Sequence, residues 1–228
     1  MFNFDFYNPT HIVFGKDRLG ELDTLVPKDA KVLITYGGGS AVRSGLIDRI
    51  VKALGNRKVE QFGGIEPNPS LETCERAVAF IKEHGVDFVL AVGGGSVVDA
   101  TKLIVMGATY DGPVIEVMKA GLPAVPVEMV PNPLPFGTVM TLPATGSEMN
   151  NGAVITYGDG KYPVFSSLVF PKFSMLDPTL TFTLPEKQVK NGVIDTFVHT
   201  TEQYLTYPVE GRIQDRFSEG ILKTMIEI

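Results

Sequence analysis

The sequence has no tryptophan, one cysteine and three histidines among its 228 residues. The single cysteine, Cys74, excludes an internal disulfide and sets the expectation of a reducing compartment. Free cysteine is among the most buried residue types, so Cys74 reads as a small core residue on a helix. Cations are in deficit: the net charge is −6 and the pI about 5.1. That excludes the broad basic surface a nucleic-acid binder needs. It leaves room for a local anion site, because backbone N–H groups bind phosphate without lysines. No apolar run approaches the roughly 20 residues of a membrane-spanning helix. The first residues, "MFNFDFYNPT", carry an early acid and no basic segment, unlike a secretory signal. A cytoplasmic protein is expected, with no nucleic-acid or membrane partner.

The pattern that is present alternates strand and helix over about the first 110 residues. "HIVFG" (11–15), "KVLITY" (31–36), "KVEQF" (58–62) and "DFVLAV" (87–92) have strand character. Helical spacing over 40–54 puts Val42, Leu46, Ile50 and Leu54 on one face. A second helix is expected over 68–85, with Asn68 as N-cap, Pro69 at the first helical position and Gly85 past the end. A third is expected over 96–109. The order predicts an α/β fold, a parallel sheet covered by helices. Residues 110–136 carry six prolines, at 113, 123, 126, 131, 133 and 135, which excludes a long helix there and predicts an irregular connection. "GTVMTLP" (137–143) reads as a strand and "GAVITYGDGKYPVFSS" (152–167) as a β-hairpin turning at "YGDGK". From Pro185 the pattern is helical to the end. The expected division is an α/β domain over 1–184 and the start of an all-helical domain over 185–228.

Two identical "GGGS" stretches, Gly37–Ser40 and Gly93–Ser96, each follow an apolar strand and precede a helix. Neither matches GxGxxG or a Walker A loop. One reading is a pair of tight turns. The other is a nucleotide site: a strand end, a glycine turn and a helix N-terminus present free N–H groups to a phosphate. Ser96 and Asp99 have capping-box spacing, as do Thr145 and Glu148 in "LPATGSE" (142–148). Lys102 stands three residues after Asp99, where the two can pair. Asp195 and His199 lie four apart in "NGVIDTFVHTTEQY" (191–204), one turn apart on one helix face. Alone, such a pair is more often a structural hydrogen bond than half a metal site. The remaining histidines, His11 and His84, lie far upstream.

"FGGIEPNP" (62–69), "LAVGGGSVVDATK" (90–102), "TLPATGSE" (141–148), "LDPTLTFTLP" (176–185) and "GVIDTFVHTTEQY" (192–204) together resemble the iron-containing (group III) alcohol dehydrogenases. The branch most similar is that of NADP-dependent aldehyde reductases and butanol dehydrogenases. The resemblance implies a dehydroquinate synthase-like fold: a Rossmann-like dinucleotide-binding domain, then an all-helical domain, with Fe²⁺ or Zn²⁺ in the cleft between them. It implies one aspartate and three histidines as metal ligands. Asp195 and His199 match two of these, and the other two belong to a later helical region that this chain does not carry.

For the cofactor, Gly94, Gly95 and Ser96 match the pyrophosphate loop of the family. Thr141 and Thr145 match the segment lining the nicotinamide, Asp99 a position beside it, and Lys161 a lysine that contacts the cofactor ribose. NAD-specific relatives carry an aspartate where this chain has Gly37. Gly38, Gly39 and Ser40 can therefore donate to a 2′-phosphate, with Arg43 adding charge, and the implied cofactor is NADP(H). The family's aspartate- and tryptophan-bearing segment is replaced by "DGPVIEVMKAG" (111–121). The implied activity is hydride transfer between NADP(H) and a primary alcohol or aldehyde. Two alternatives stand beside it: a nucleotide-binding module without turnover, and a lyase relative of the dehydroquinate synthase kind. Val193, Phe197, Ile213, Phe217 and Ile221 form an apolar face on the last helices, so a homodimer or other self-association is expected.

Overall fold

A computed structural model describes residues 3, 5–120, 130, 132–206 and 210–228. Its strands are β1 (His11–Phe14), β2 (Lys31–Tyr36), β3 (Lys58–Phe62), β4 (Phe88–Gly94), β5 (Phe136–Leu142), β6 (Gly152–Tyr157), β7 (Gly160–Phe165) and β8 (Phe173–Leu176). Its helices are α1 (Leu22–Leu25), α2 (Ser40–Arg43), α3 (Leu46–Leu54), α4 (Leu71–His84), α5 (Gly95–Thr109), α6 (Val114–Ala120), α7 (Glu186–Tyr204) and α8 (Arg212–Glu227). Two compact units result: residues 8–142 with 146–182, and residues 183–228 with 1–7 and 143–145.

In the first unit six strands form one parallel sheet in the order β1-β8-β5-β4-β2-β3. β4 is apolar and buried on both faces from Phe88 to Val92, as a central strand in a doubly covered sheet must be. One face packs against α4 and α5 through Leu71, Cys74, Val78, Leu103 and Ile104. The other packs against α1 and α3 through Leu22, Leu46, Ile50 and Leu54. Cys74 is buried on α4, as its residue type suggested, and burial pushes its thiol pKa up. The chain runs outward from β2 to β3 and then returns, so that β4, β5 and β8 build the sheet in the opposite direction. The reversal lies between β2 and β4, where open α/β sheets place their ligands, outside the carboxyl ends of the strands.

The expected hairpin forms: β6 and β7 pair antiparallel from Gly152–Phe165 to Tyr157–Gly160. Three local expectations are corrected. The helix expected over 40–54 is broken in two, because Gly45 takes a left-handed φ of 71° and caps α3. Helix α4 begins at Leu71, not at Pro69. Its N-cap is Ser70, whose hydroxyl accepts from the Thr73 amide at 3.3 Å, while Asn68 has a left-handed φ of 55° and stands outside the helix. Gly85 ends α4 in the left-handed region, as expected. Within 110–136 a seven-residue helix, α6, follows Pro113, a proline position compatible with a helix start. Pro123, Pro126 and Pro131, on which the irregular connection was also argued, lie outside the described residues.

In the second unit α7 and α8 pack on each other, and neither contributes a buried side chain. Tyr204 and Glu219 bridge them, with oxygens 3.3 Å apart. Phe197, Ile213, Phe217 and Ile221 are 37%, 63%, 69% and 42% exposed, whereas Val193 is half-buried. No described helix is long and apolar enough to cross a membrane.

Candidate functional site

Both glycine loops leave the carboxyl edge of the sheet at the reversal point, one from β2 and one from β4. In the first, the Gly37 carbonyl accepts from the Gly39 amide at 2.9 Å and from the Gly64 amide at 3.1 Å. A Cβ on Gly37 would come within 3.3 Å of the Ile65 carbonyl, a tight approach that a side chain could take only if the neighbouring backbone shifted by a few tenths of an ångström. Gly39 has φ 92°, a conformation that L side chains rarely adopt. Gly38 differs: a Cβ there would meet nothing within 4 Å, so its backbone faces open space. Arg43 folds back over the loop and donates to the Gly38 carbonyl at 3.3 Å. A guanidinium therefore stands beside open backbone at a position that carries no carboxylate.

In the second loop, a Cβ on Gly93 would come within 2.6 Å of the Val97 side chain, and one on Gly94 within 3.3 Å of Leu142. These glycines let α5 pack tightly on the sheet. Gly94 is the N-cap of α5, and no side chain caps that end. The capping box expected from Ser96 and Asp99 does not form, because Ser96 lies inside the first turn. The box expected from Thr145 and Glu148 does not form either: the short 3₁₀ turn Ser147–Met149 is capped by Gly146 at φ 69°, with no side-chain bond. A helix N-terminus without a side-chain cap, at the switch point of a parallel sheet, suits a dinucleotide phosphate.

Asn68, taken from the sequence as a helix cap, gathers this edge instead. Its amide donates to Ser96 Oγ at 3.3 Å, its Oδ1 accepts from Lys161 Nζ at 2.7 Å, and its carbonyl accepts from Thr156 Oγ1 at 3.1 Å. The left-handed backbone that makes this possible is tolerated by asparagine. An asparagine between two prolines was the available signal. Accepting from Asn68 leaves the Ser96 hydroxyl proton free to donate elsewhere. Lys161, on β7, is thereby tethered beside the α5 N-terminus. Thr141 sits where the β4–β5 register slips: Gly93 pairs with Met140 and Gly94 with Leu142. It is the extra residue of a bulge, half-buried at the end of β5, and bulges re-aim side chains beside active sites. Thr145 is exposed and belongs to the second compact unit.

Asp99 is held by the protein on both carboxylate oxygens. Ser147 Oγ donates to Oδ1 at 2.6 Å, and the Val154 amide donates to Oδ2 at 2.9 Å. Burial raises its pKa above the usual carboxylate value, against those bonds and the nearby Lys102 charge. The direct pair expected between Asp99 and Lys102 is replaced by a relay through Ser147. Lys102 is fully buried, and its three ammonium N–H groups are shared among four oxygens, the Ser147 carbonyl and hydroxyl, Asn150 Oδ1 and the Gly152 carbonyl, at 2.8, 2.9, 2.8 and 2.6 Å. Burial brings its pKa down to about 8, although the Asp99 and Glu148 carboxylates oppose the shift.

Asp195 and His199 lie one turn apart on α7, with Asp195 Oδ1 3.6 Å from His199 Nε2, and both side chains are about half exposed. A carboxylate and an imidazole are donors that suit Fe²⁺ or Zn²⁺. They are two of the three or four protein donors usual at a catalytic metal. Among the described residues no cluster of three or more such side chains forms.

Fold and glycine loops together define an α/β protein with two glycine turns at the switch point of its parallel sheet. The family model for iron-containing alcohol dehydrogenase matches residues 9–178. The chain belongs to the iron-containing alcohol dehydrogenase family. It is 50% identical over 232 residues to the NADPH-dependent aldehyde reductase YqhD of Escherichia coli, covering 100% of this chain and 58% of that protein. It is 46% identical to the probable NADH-dependent butanol dehydrogenase 1 of Bacillus subtilis, with the same coverage. The crystal structure of E. coli YqhD superposes with a TM-score of 0.92 at 48% identity, over 99% of this chain and 57% of that one. The chain thus spans somewhat over half the length of these relatives.

The Lys102 shift fixes the sign of a pH effect. Its folded-state pKa lies below the value of 10.5 for the unperturbed group. Between about 8 and 10.5 the unfolded chain binds more protons at this site, so its contribution to stability rises with pH. In urea unfolding, wild type should gain on Lys102→Met from pH 7.5 to 10, by up to about 1.4 kcal/mol per pH unit within the window. A difference that stays flat or falls would contradict the assignment.

Proposed function

We propose that this chain carries the cofactor domain and half the metal site of an NADP(H)-dependent, divalent-metal-assisted alcohol dehydrogenase or aldehyde reductase. The observation that carries the proposal is the pair of glycine loops at the switch point, one ending in an uncapped helix and the other bearing no carboxylate. Gly94, Gly95 and Ser96 would bind the pyrophosphate through the α5 amides and the Ser96 hydroxyl. Gly37, Gly38, Gly39 and Ser40 would hold the 2′-phosphate, and Arg43 would neutralise part of its charge. Lys161, held by Asn68, would reach the ribose. Thr141 and Thr145 would line the nicotinamide side, and Asp99 anchors Ser147 and Val154. The names of relatives diverge on the nicotinamide cofactor, so the choice of NADP(H) rests on Gly37 and Arg43 in this chain.

Residues 185–228 would be the first helices of an all-helical metal-binding domain, with Asp195 and His199 as two of four ligands. When bound, the metal supplies Lewis acidity toward a carbonyl or alcohol oxygen, and the nicotinamide supplies or accepts the hydride. The chain's own part is to orient the nicotinamide and exclude water around it. A binding module without turnover is the second reading. It is favoured by the half-exposed two-donor pair and by helices that bury no side chain. The exposed apolar faces of α7 and α8 support self-association, as a homodimer or larger species. The whole is a soluble, cytoplasmic oxidoreductase in this reading.

Fluorescence titration with NADPH and NADH tests cofactor choice: NADPH should bind at least tenfold more tightly, about 1.4 kcal/mol. Comparable affinities would sink the assignment of Gly37–Ser40 to a 2′-phosphate. For the second unit, elemental analysis after mild chelation should find well under one iron or zinc per chain, and sedimentation should show mass rising with concentration. Stoichiometric metal in a stable monomer would refute the half-site reading. Butanal-dependent NADPH oxidation with added Fe²⁺ or Zn²⁺ separates the enzyme from the binding module.

A further inference from the structure

Lys102 is a lysine with no contact to solvent, in a position where an apolar side chain of similar volume would avoid the desolvation cost. What it obtains there is a set of oxygens drawn from one short segment. All four acceptors of its ammonium lie between Ser147 and Gly152, and Asn150 Oδ1 also accepts from the Gly152 amide at 2.9 Å. One turn away on the same helix, Asp99 takes the Ser147 hydroxyl and the Val154 amide. Two charged residues of α5 therefore clamp the segment that leads from the 3₁₀ turn into β6.

The far end of that hairpin is tied back to the same helix. The Thr156 amide donates to the Pro69 carbonyl at 2.8 Å, and its hydroxyl to the Asn68 carbonyl. Lys161 donates to Asn68 Oδ1, and the Asn68 amide to Ser96 Oγ. The bonds close a ring: Ser96, Asn68, the hairpin, the 147–152 segment, Lys102, and back along α5. Ser96 and Lys161 are on its open side and Lys102 on its buried side.

We propose that Lys102 is a positioning residue for the cofactor: it locks the 147–152 segment and the hairpin to α5, so that Ser96 and Lys161 keep the geometry that holds the pyrophosphate and ribose. This rests on the cofactor reading above. Lys102 touches no cofactor atom in this account. Its effect reaches the site through Ser147, Gly152 and the hairpin, as outer-shell partners act on the ligands they orient.

The first glycine loop stands outside the ring, which supplies an internal control. The 228-residue chain and two variants, Lys102→Met and Ser147→Ala, are titrated with NADPH and with 2′-AMP, which needs only Gly37–Ser40. Lys102→Met should weaken NADPH on the order of tenfold, with Ser147→Ala weaker in the same direction. Binding of 2′-AMP should hold within about twofold in both. A general loosening of the domain would weaken both ligands together, and that result in a chain with wild-type circular dichroism would overturn the proposal. Unchanged NADPH affinity in the variants would overturn it as well. If Lys102→Met does not fold, Ser147→Ala decides by the same criteria. A wild-type chain that binds neither ligand overturns the cofactor reading, and this proposal with it.

Discussion

The parallel pairing of β2 with β4 is the constraint on which the candidate site depends. It joins Val32–Tyr36 to Phe88–Val92 at the place where chain direction across the sheet reverses. Because the strands are parallel, both carboxyl ends open on one edge. Because β3 and β5 lie on outer sides, no crossover helix fills the space between those ends. The two glycine loops inherit their positions from this pairing. Gly37 and Gly93 then remove side chains where backbone or Val97 comes close, and the space beside Gly38 stays open.

Charge at this edge is handled without a basic surface. The chain is acidic overall, yet the residues around the loops are Arg43, Lys161, Ser96 and helix-end amides. Asp99 is turned inward, with both oxygens engaged by Ser147 and Val154. Lys102 is its counterpart: an ammonium that works as an internal brace because four oxygens replace its water. Between them these residues convert an otherwise irregular stretch, 146–154, into a fixed wall.

The α/β order, five of the six sheet strands, the hairpin and the glycine loops were legible because each has a strong local signal: apolar runs of strand length, a YGDGK turn, a strand running into glycines; β8, only four residues long, was not read. The misreadings share a cause. Gly45 and Asn68 adopt left-handed backbone, which periodicity cannot see; one breaks a helix and the other displaces its N-cap to Ser70. The capping-box spacings at Ser96 and Thr145 were outcompeted, since glycines occupy both cap positions. The role of Asn68 as a hub, and of Lys102 as a brace, depends on residues 28 to 93 positions apart meeting in space. No spacing rule reaches that far. For Asp195 and His199 the sequence indicated a shared helix face and the structure shows it, while the match of residues 9–178 to the family model stops short of them. The proposal of a metal role for them rests on the motif around them.

Amide chemical-shift mapping of NADPH on the isotopically labelled chain tests the central claim most directly, that the switch-point edge is the nucleotide site. The largest shifts are expected at Gly38, Gly39, Gly95 and Ser96, with smaller ones at Asn68 and Lys161. Shifts centred on the opposite edge, around Asn132–Phe136 and Lys172, with the glycine loops unmoved, would contradict it.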